Sequence, residues 1–285
     1  MSGCHSSFQL SYLCCIESYF ENGKAVFYSV VIFDGFQVLV FGQTVSDFLK
    51  AKEKLEYTND FKHNLVETAK LFVGIPYVAG TLEKAPEQLV IDFTGLDCIT
   101  FVENAIALTL AKDETNYRHI LQNLRYRQGI IDGYPSRIHY LSEWLVRIGR
   151  QGIFTQINNG GDLCFEPDLH FMSSNPNYYA ALKNDSIAVR AIAKKEAAFN
   201  EMKIGFQYYS KKAFEDRLLQ HGDIVAFKSK KEGLDFDHLG LVVVEGGRKL
   251  LLHASLDYKK VLITKESVKD YLMRIKKFDG VSIIR

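Results

Sequence analysis

Apolar residues change their spacing along this chain. From Ser46 to Phe72 they recur at helical intervals (Phe48, Leu49, Leu55, Phe61, Leu65, Ala69, Phe72) and predict one helix. Gly74-Ile75-Pro76 ends it. Gln88 to Phe93 is a short apolar run that suits a strand. Asp97 to Ala111 is helical, with Val102, Ala105, Ile106 and Leu110 on one stripe. Asp97 is its N-cap, since a carboxylate there accepts from free first-turn amides. Thr115 to Arg127 and His139 to Gly149 read as further helices, joined by a loop holding Asp132-Gly133-Tyr134-Pro135. Residues 158–177 are loop-like, rich in Gly, Asn, Ser and Pro. Tyr178 to Met202 is helical. The period then shortens: Asp223 to Phe227, His238 to Val244, Lys249 to His253 and Val281 to Ile284 are β-like. Helices first and strands last predict an α+β layout, a helical layer packed on an antiparallel sheet.

Composition is even from Thr44 onward, so the pattern reads as one domain over 44–285, with a helix- and loop-rich stretch between its first chemical residue and its strands. Residues 1–43 stand apart. Ala25 to Val40 is apolar apart from Ser29, Asp34, Gly35 and Gln37, too short and interrupted for a membrane-spanning helix. Lys24 before it and Val40-Phe41-Gly42 after it suit an export signal, whereas Glu17, Glu21 and Asp34 do not. An exported or periplasmic protein and a cytoplasmic one with a poorly ordered or strand-forming leader both remain open. Lys plus Arg number 35 against 34 Asp plus Glu, so there is no basic field of the kind that nucleic-acid binding uses. Stable membrane insertion of the 44–285 domain is not expected.

Of the five cysteines, Cys4, Cys14 and Cys15 crowd the first segment, and none forms a C-x-x-C pair, which argues against a zinc ribbon. Cys98 opens a helix. Unpaired first-turn amides and the helix dipole favour a thiolate there and can also hold an oxyanion; a buried structural cysteine is the alternative. A thiolate nucleophile needs a base to protonate the leaving amine. His238 lies in a strand-like run that Gly246-Gly247 turns back through Lys249 to His253. A two-residue turn there pairs 245 with 248, so 240 faces 253 and His253 lies diagonal to His238 on the same face. A second histidine so placed can fix the tautomer of the first. A slip of one residue would separate them.

Thr94-Gly95-Leu96-Asp97-Cys98-Ile99-Thr100-Phe101-Val102-Glu103 resembles the nucleophile motif of the NlpC-type papain-like cysteine peptidases and amidases, and more narrowly their N-acetylmuramoyl-L-alanine amidase-like branch. Gly74-Ile75-Pro76-Tyr77-Val78-Ala79-Gly80-Thr81-Leu82-Glu83, Asp132-Gly133-Tyr134-Pro135-Ser136-Arg137-Ile138-His139-Tyr140 and His221-Gly222-Asp223-Ile224 match the same branch, in order. The resemblance covers about 45–285. It implies a papain-like cysteine hydrolase whose nucleophile sits at a helix N-terminus against an antiparallel sheet carrying the histidines. It implies a Cys98–His238–His253 triad, a peptidoglycan fragment as substrate, and neither metal nor other cofactor. The cut it implies lies between N-acetylmuramic acid and L-alanine. The γ-D-glutamyl-diamino acid endopeptidases are the runner-up, and an acyltransferase or a fragment-binding module are further readings. Tyr77, Arg137, His139 and Tyr140 are the candidate substrate contacts, Arg137 through bidentate bonds to a carboxylate. Tyr140 and Trp144, one helical turn apart, also suit the core. Glu103 reads as structural, and Cys164 has no partner to activate it.

Overall fold

The computed structural model describes residues 44–156 and 158–285 in full, and the backbone alone of three strands before them. Those strands, β1 (Cys14–Glu21), β2 (Lys24–Phe33) and β3 (Phe36–Val40), form an antiparallel meander. The apolar stretch from Ala25 to Val40 thus has largely strand backbone. Phe41 and Gly42, at the expected cleavage position, lie outside the described residues.

Eight helices follow among the described residues: α1 (Val45–Lys52), α2 (Phe61–Lys70), α3 (Cys98–Leu110), α4 (Glu114–Arg125), α5 (Leu141–Arg150), α6 (Phe171–Ser174), α7 (Ser186–Asn200) and α8 (Val268–Arg274). The second sheet comprises β4 (Leu163–Phe165), β5 (Phe206–Ser210), β6 (Ile224–Ser229), β7 (Phe236–Glu245), β8 (Arg248–Ser255), β9 (Lys260–Ser267) and β10 (Phe278–Ile284). Its order is β4-β5-β10-β6-β7-β8-β9, and every neighbouring pair is antiparallel. The expected α+β layout with an antiparallel sheet is what forms.

Side-chain alternation with period 2 builds two apolar layers on this sheet. Ile224, Ala226, Leu241, Val243 and Leu252 face the helical layer, with α3 at its centre. Val225, Phe227, Val242, Leu251 and Val281 face the other way, under α8. Helix α3 is apolar nearly all round because α2, α4, β7 and β8 enclose it.

Several boundaries differ from the sequence reading. The single helix expected over 46–72 is two. Thr58 and Asn64 exchange backbone–side-chain bonds of 2.8 Å, and Asp60 caps α2 through the Lys62 amide at 2.9 Å, so local polar bonds outcompete helix continuation. The helix expected from Tyr178 begins at Ser186, where Asp185 accepts from the amides of Ile187 and Ala188. The stretch from Gln88 to Phe93 is not a strand. Side chains take its carbonyls instead: Tyr126 donates to Gln88 O at 2.8 Å and Arg125 to Val90 O at 2.6 Å. Strands β5 and β9 and helix α8 were not anticipated, and 158–177 contains β4 and α6 as well as loop.

The segment that delivers Cys98 is pinned from both sides. Gly74 and Tyr77 donate to the carbonyls of Val261 and Lys259, both at 2.9 Å, which ties 74–77 to the β9 edge. Leu96 then donates to Pro76 O (2.9 Å), and Val78 to Leu96 O (3.1 Å). This approach is close enough that a Cβ at Gly95 would lie 2.3 Å from Val78 Cγ2, so only glycine fits there. Behind the helix, Arg125 donates to Glu103 Oε2 at 2.8 Å, with both side chains at most 3% exposed. Glu103 is therefore structural, as its position in the sequence suggested.

Breaking that buried pair from one side leaves an uncompensated charge. Glu103→Ala should lower unfolding free energy by about 3–5 kcal/mol in urea titration. The double change Glu103→Leu with Arg125→Met should recover most of the loss. A single-mutant cost below about 1 kcal/mol would show that the pair does not hold the helical layer.

Candidate functional site

Cys98 is the first residue of α3, and the cap in front of it is complete. Asp97 Oδ1 accepts from the Thr100 amide (2.8 Å), and Thr100 Oγ1 accepts from the Asp97 amide (2.9 Å). This capping box uses the third helical amide and leaves those of Cys98 and Ile99 free of intrahelical partners. The thiol is partly buried and unpaired. Burial, and then the Asp97 carboxylate, push it up to about 12, against the pull of the Leu239 and Ile99 amides and of Lys277. The thiolate expected at a helix start is therefore not the resting form. The dipole is outweighed because burial penalises the charged form and the residue that caps the helix is itself negative.

The hairpin registers as the sequence predicts. Leu241 pairs with Leu252 and Glu245 with Arg248, which places 240 opposite 253. His238 Nε2 and His253 Nδ1 are 2.7 Å apart. A Cβ at Gly240 would fall 2.9 Å from His253 Cβ and from Leu252 O, so glycine is what allows the two strands to present both rings. His238 also lies against Phe227 and Phe278, nearly parallel to the latter at 6.3 Å, while Tyr271 meets His253 edge-on at 5.1 Å. Burial, His253 and Lys277 hold His238 well below its ordinary value, and burial takes His253 down to about 3. Both rings are neutral at pH 7. His253 Nε2 is buried without a hydrogen-bond partner among the described residues.

Cys98 and His238 line one cavity of about 180 Å³, together with His139, Tyr140, Trp144 and Asp235. His139 donates from Nε2 to Tyr134 O at 3.0 Å, and burial, then Arg137, lowers its value to about 3. Three of the other expected contacts are placed differently. Tyr140 donates its hydroxyl to Glu196 (2.6 Å) and accepts from the Met172 amide (2.9 Å), so that hydroxyl is already engaged. Tyr77 is close enough to Cys98 for a thiolate there to help raise its phenol to about 12, burial being the larger cause, but it is not part of the cavity wall. Arg137 is 4% exposed and set back from the wall. Its Nη2 donates to Glu83 (2.8 Å), its Nε lies 3.3 Å from Glu87, and its guanidinium stacks on Tyr134. Its charge is satisfied internally because residues 83–87, remote in sequence, fold over it. Asp235, Tyr271 and Phe278 were missed by sequence reasoning. Only the first had a signal, an aspartate two residues before Asp237-His238. Cys164 is exposed on β4 and unpaired.

Away from the cavity, His63, Glu67 and His221 bring potential metal-ligand atoms within 4.8 Å of one another. His221 Nδ1 accepts from the Val244 amide at 3.1 Å, so its neutral ring carries the proton on Nε2 and offers no lone pair there.

The profile of the N-acetylmuramoyl-L-alanine amidase-like family matches residues 67–281. Among solved structures, an N-acetylmuramoyl-L-alanine amidase from Bacteroides uniformis is 31% identical, with a TM-score of 0.74 over 79% of this chain and 98% of that one. A Bacteroides fragilis protein named as a candidate xylanase is 35% identical, with a TM-score of 0.71 over 78% and 99%. A Legionella pneumophila protein at 19% identity and a TM-score of 0.60, over 84% and 93%, shares the fold. The comparison with curated proteins finds no match.

With the thiol raised and both imidazoles lowered, the resting pair is neutral. Alkylation of Cys98 by iodoacetate should therefore accelerate by about tenfold per pH unit across pH 6–9, tracking the rare thiolate. A rate that levels off below pH 7 would reveal a preformed thiolate–imidazolium pair and overturn this reading.

Proposed function

The chain belongs to the N-acetylmuramoyl-L-alanine amidase-like family, and from that premise we propose that it is a papain-like cysteine amidase acting on peptidoglycan fragments. The bond cut joins the lactyl group of N-acetylmuramic acid to L-alanine, with anhydro-muramyl fragments the natural form. Cys98 is the nucleophile, His238 the base and His253 the residue that orients it. The observation that carries this reading is the 2.7 Å bond between His238 and His253 at the wall of the cavity that Cys98 opens into.

The chemistry follows from which nitrogen is free. His238 Nε2 is committed to His253, so Nδ1 is the nitrogen left to take a proton. With the proton on His253 Nε2, His253 Nδ1 accepts from His238 Nε2–H, and His238 Nδ1 carries the lone pair that a base needs. As Cys98 Sγ attacks the amide carbonyl, its proton moves to Nδ1. The developing oxyanion rests on the free amides at the start of α3. Collapse breaks the C–N bond, and Nδ1–H protonates the departing amine of L-alanine. Water then loses a proton to Nδ1 and attacks the thioester, releasing the muramyl carboxylate and restoring the thiol. The proton never has to reside on a buried imidazole except while the oxyanion is present to offset it.

The name of the Bacteroides fragilis relative suggests a glycosidase, which needs two available carboxyl groups flanking the scissile bond. Two aspartates lie beside His238. Asp235 accepts from the amides of Ser142 and Phe236, and Asp237 accepts from Ser229 and lies near Lys231 and Lys277. Both are held by structural bonds, which favours amide cleavage by the thiol. The γ-D-glutamyl-diamino acid endopeptidase, a transferase using an amine in place of water, and a fragment-binding module use the same fold and differ in product. Residues 44–285 form the catalytic unit in this proposal. N-terminal sequencing of protein from its native host decides export: a start near Gln43 marks a cleaved signal, and a cytoplasmic chain beginning at Met1 rules it out.

Cys98→Ala should abolish hydrolysis without unfolding the protein, and Cys164→Ala should leave activity near wild type. His253→Ala should lower kcat by at least about 100-fold with little change in KM, because it disorients the base rather than removing substrate contacts. Mass spectrometry of products reads all three, and an active Cys98→Ala protein ends the mechanism. In a paired assay, a stem peptide carrying its muramyl group should be cut far faster than the bare peptide, since remote binding energy positions the reacting carbonyl. Release of L-Ala-γ-D-Glu in place of an intact stem with a free L-alanine amine would transfer the assignment to the endopeptidase.

A further inference from the structure

The cavity beside Cys98 has polar groups that the proposed mechanism does not use. Trp144 is 2% exposed, lines the cavity, and has an indole N–H buried with no acceptor among the described residues. An unpaired buried donor is costly, so it is expected to meet an acceptor in the working complex. Asp235 lines the same cavity and is also 2% exposed. Its Oδ2 accepts from the Ser142 amide at 2.6 Å and its Oδ1 from the Phe236 amide at 2.7 Å. Each carboxylate oxygen has a second lone pair, which leaves acceptor capacity beyond these two amides. Ile99, Ile138 and Leu141 supply apolar wall between them.

This set of groups selects its guest. A carboxylate would meet Asp235 and the neighbouring Asp237 at close quarters. A cation would leave the indole N–H unpaired. A purely apolar group would leave the indole N–H unpaired as well. A neutral group with one acceptor and one donor a short distance apart, and with apolar flanks, satisfies all of them. We propose that the cavity is a secondary-amide subsite, in which Trp144 Nε1–H donates to the amide carbonyl of the substrate and Asp235 accepts from its N–H. This rests on the amidase reading for the identity of the ligand. A muramyl peptide carries secondary amides on both sides of the cut, the acetamido group of the sugar and the peptide bonds of the stem, and either presents the required pair.

Trp144 is the only tryptophan of the chain, so its emission reports the site directly. The experiment uses full-length Cys98→Ala protein, which binds without turnover, and three probes. They are N-acetylmuramoyl-L-alanyl-D-isoglutamine, its analogue with a 2-hydroxyl in place of the acetamido group, and its analogue with a trans-alkene in place of the alanyl–isoglutamine amide. The parent probe should shift Trp144 emission. Adding Trp144→Phe, which keeps an aromatic ring and removes the N–H, should weaken calorimetric binding of the parent by roughly tenfold or more. A melting temperature held within a few degrees shows that the fold is intact, and Asp235→Asn gives a second, independent loss.

If the penalty of Trp144→Phe disappears with the 2-hydroxyl probe and persists with the alkene, the guest is the sugar acetamido group. The reverse pattern assigns the stem amide. An unchanged affinity for the parent, or an equal penalty with all three probes, overturns the subsite. The two readings fail separately. Cleavage of the muramoyl–alanine bond by Cys98-intact protein with no Trp144→Phe penalty removes the subsite alone. Cleavage of another bond with the penalty intact removes the amidase assignment alone.

Discussion

The proposed chemistry depends on one hydrogen bond, between His238 Nε2 and His253 Nδ1, and that bond depends on the register of one hairpin. The turn at Gly246-Gly247 sets 245 opposite 248, and everything along β7 and β8 follows from that pairing. A shift of one residue would turn one ring to the opposite face of the sheet. Register alone is insufficient, because the strands must also approach closely between the two rings. Gly240 provides that approach, since any side chain there would collide with His253 Cβ and the Leu252 carbonyl. The aromatic neighbours then fix the ring planes, so that the free nitrogen of His238 has one direction rather than several.

Desolvation governs the charge state of the same site. A helix start and a nearby base would favour a thiolate in water-exposed surroundings, but here burial pushes the thiol up and the imidazoles down. The two effects are complementary. Each raises the energy of the separated ion pair, so in the proposed mechanism the proton moves only as charge develops on the substrate oxygen. The negative cap Asp97 contributes to this, and its box leaves the Cys98 and Ile99 amides without partners inside the helix. A cap chosen only to lower the thiol would have been neutral.

The long stretch between Cys98 and His238 does structural and positional work together. Arg125, Tyr126 and Arg137 hold the 83–93 segment through its carboxylates and carbonyls, so a segment without strand partners is still fixed as it runs toward Cys98. Helix α5 meanwhile supplies Trp144, with Tyr140 at its start, to the cavity. Its second helical amide is bonded by Asp235, from the loop that leads into the His238 strand. The same aspartate thus ties the inserted helices to the His238 strand and lines the space between them.

The sequence by itself determined what is local. Helical spacing, the Asp97 cap, the glycine turn and period-2 alternation each act over a few residues, and they were enough to place Cys98 at a helix start and His253 diagonal to His238. Glu103 as a structural residue was legible for the same reason. The tertiary structure decided whatever depends on partners far along the chain. Arg137 carried the look of a substrate clamp until Glu83 and Glu87 folded onto it, and the hydroxyl of Tyr140 was free on paper until Glu196 reached it from α7. The strand expected at 88–93 failed because remote side chains claimed its carbonyls. The protonation state of Cys98 was also beyond the sequence. Local rules give the sign of the helix dipole, whereas the larger opposing contribution comes from burial of the thiol by the folded chain.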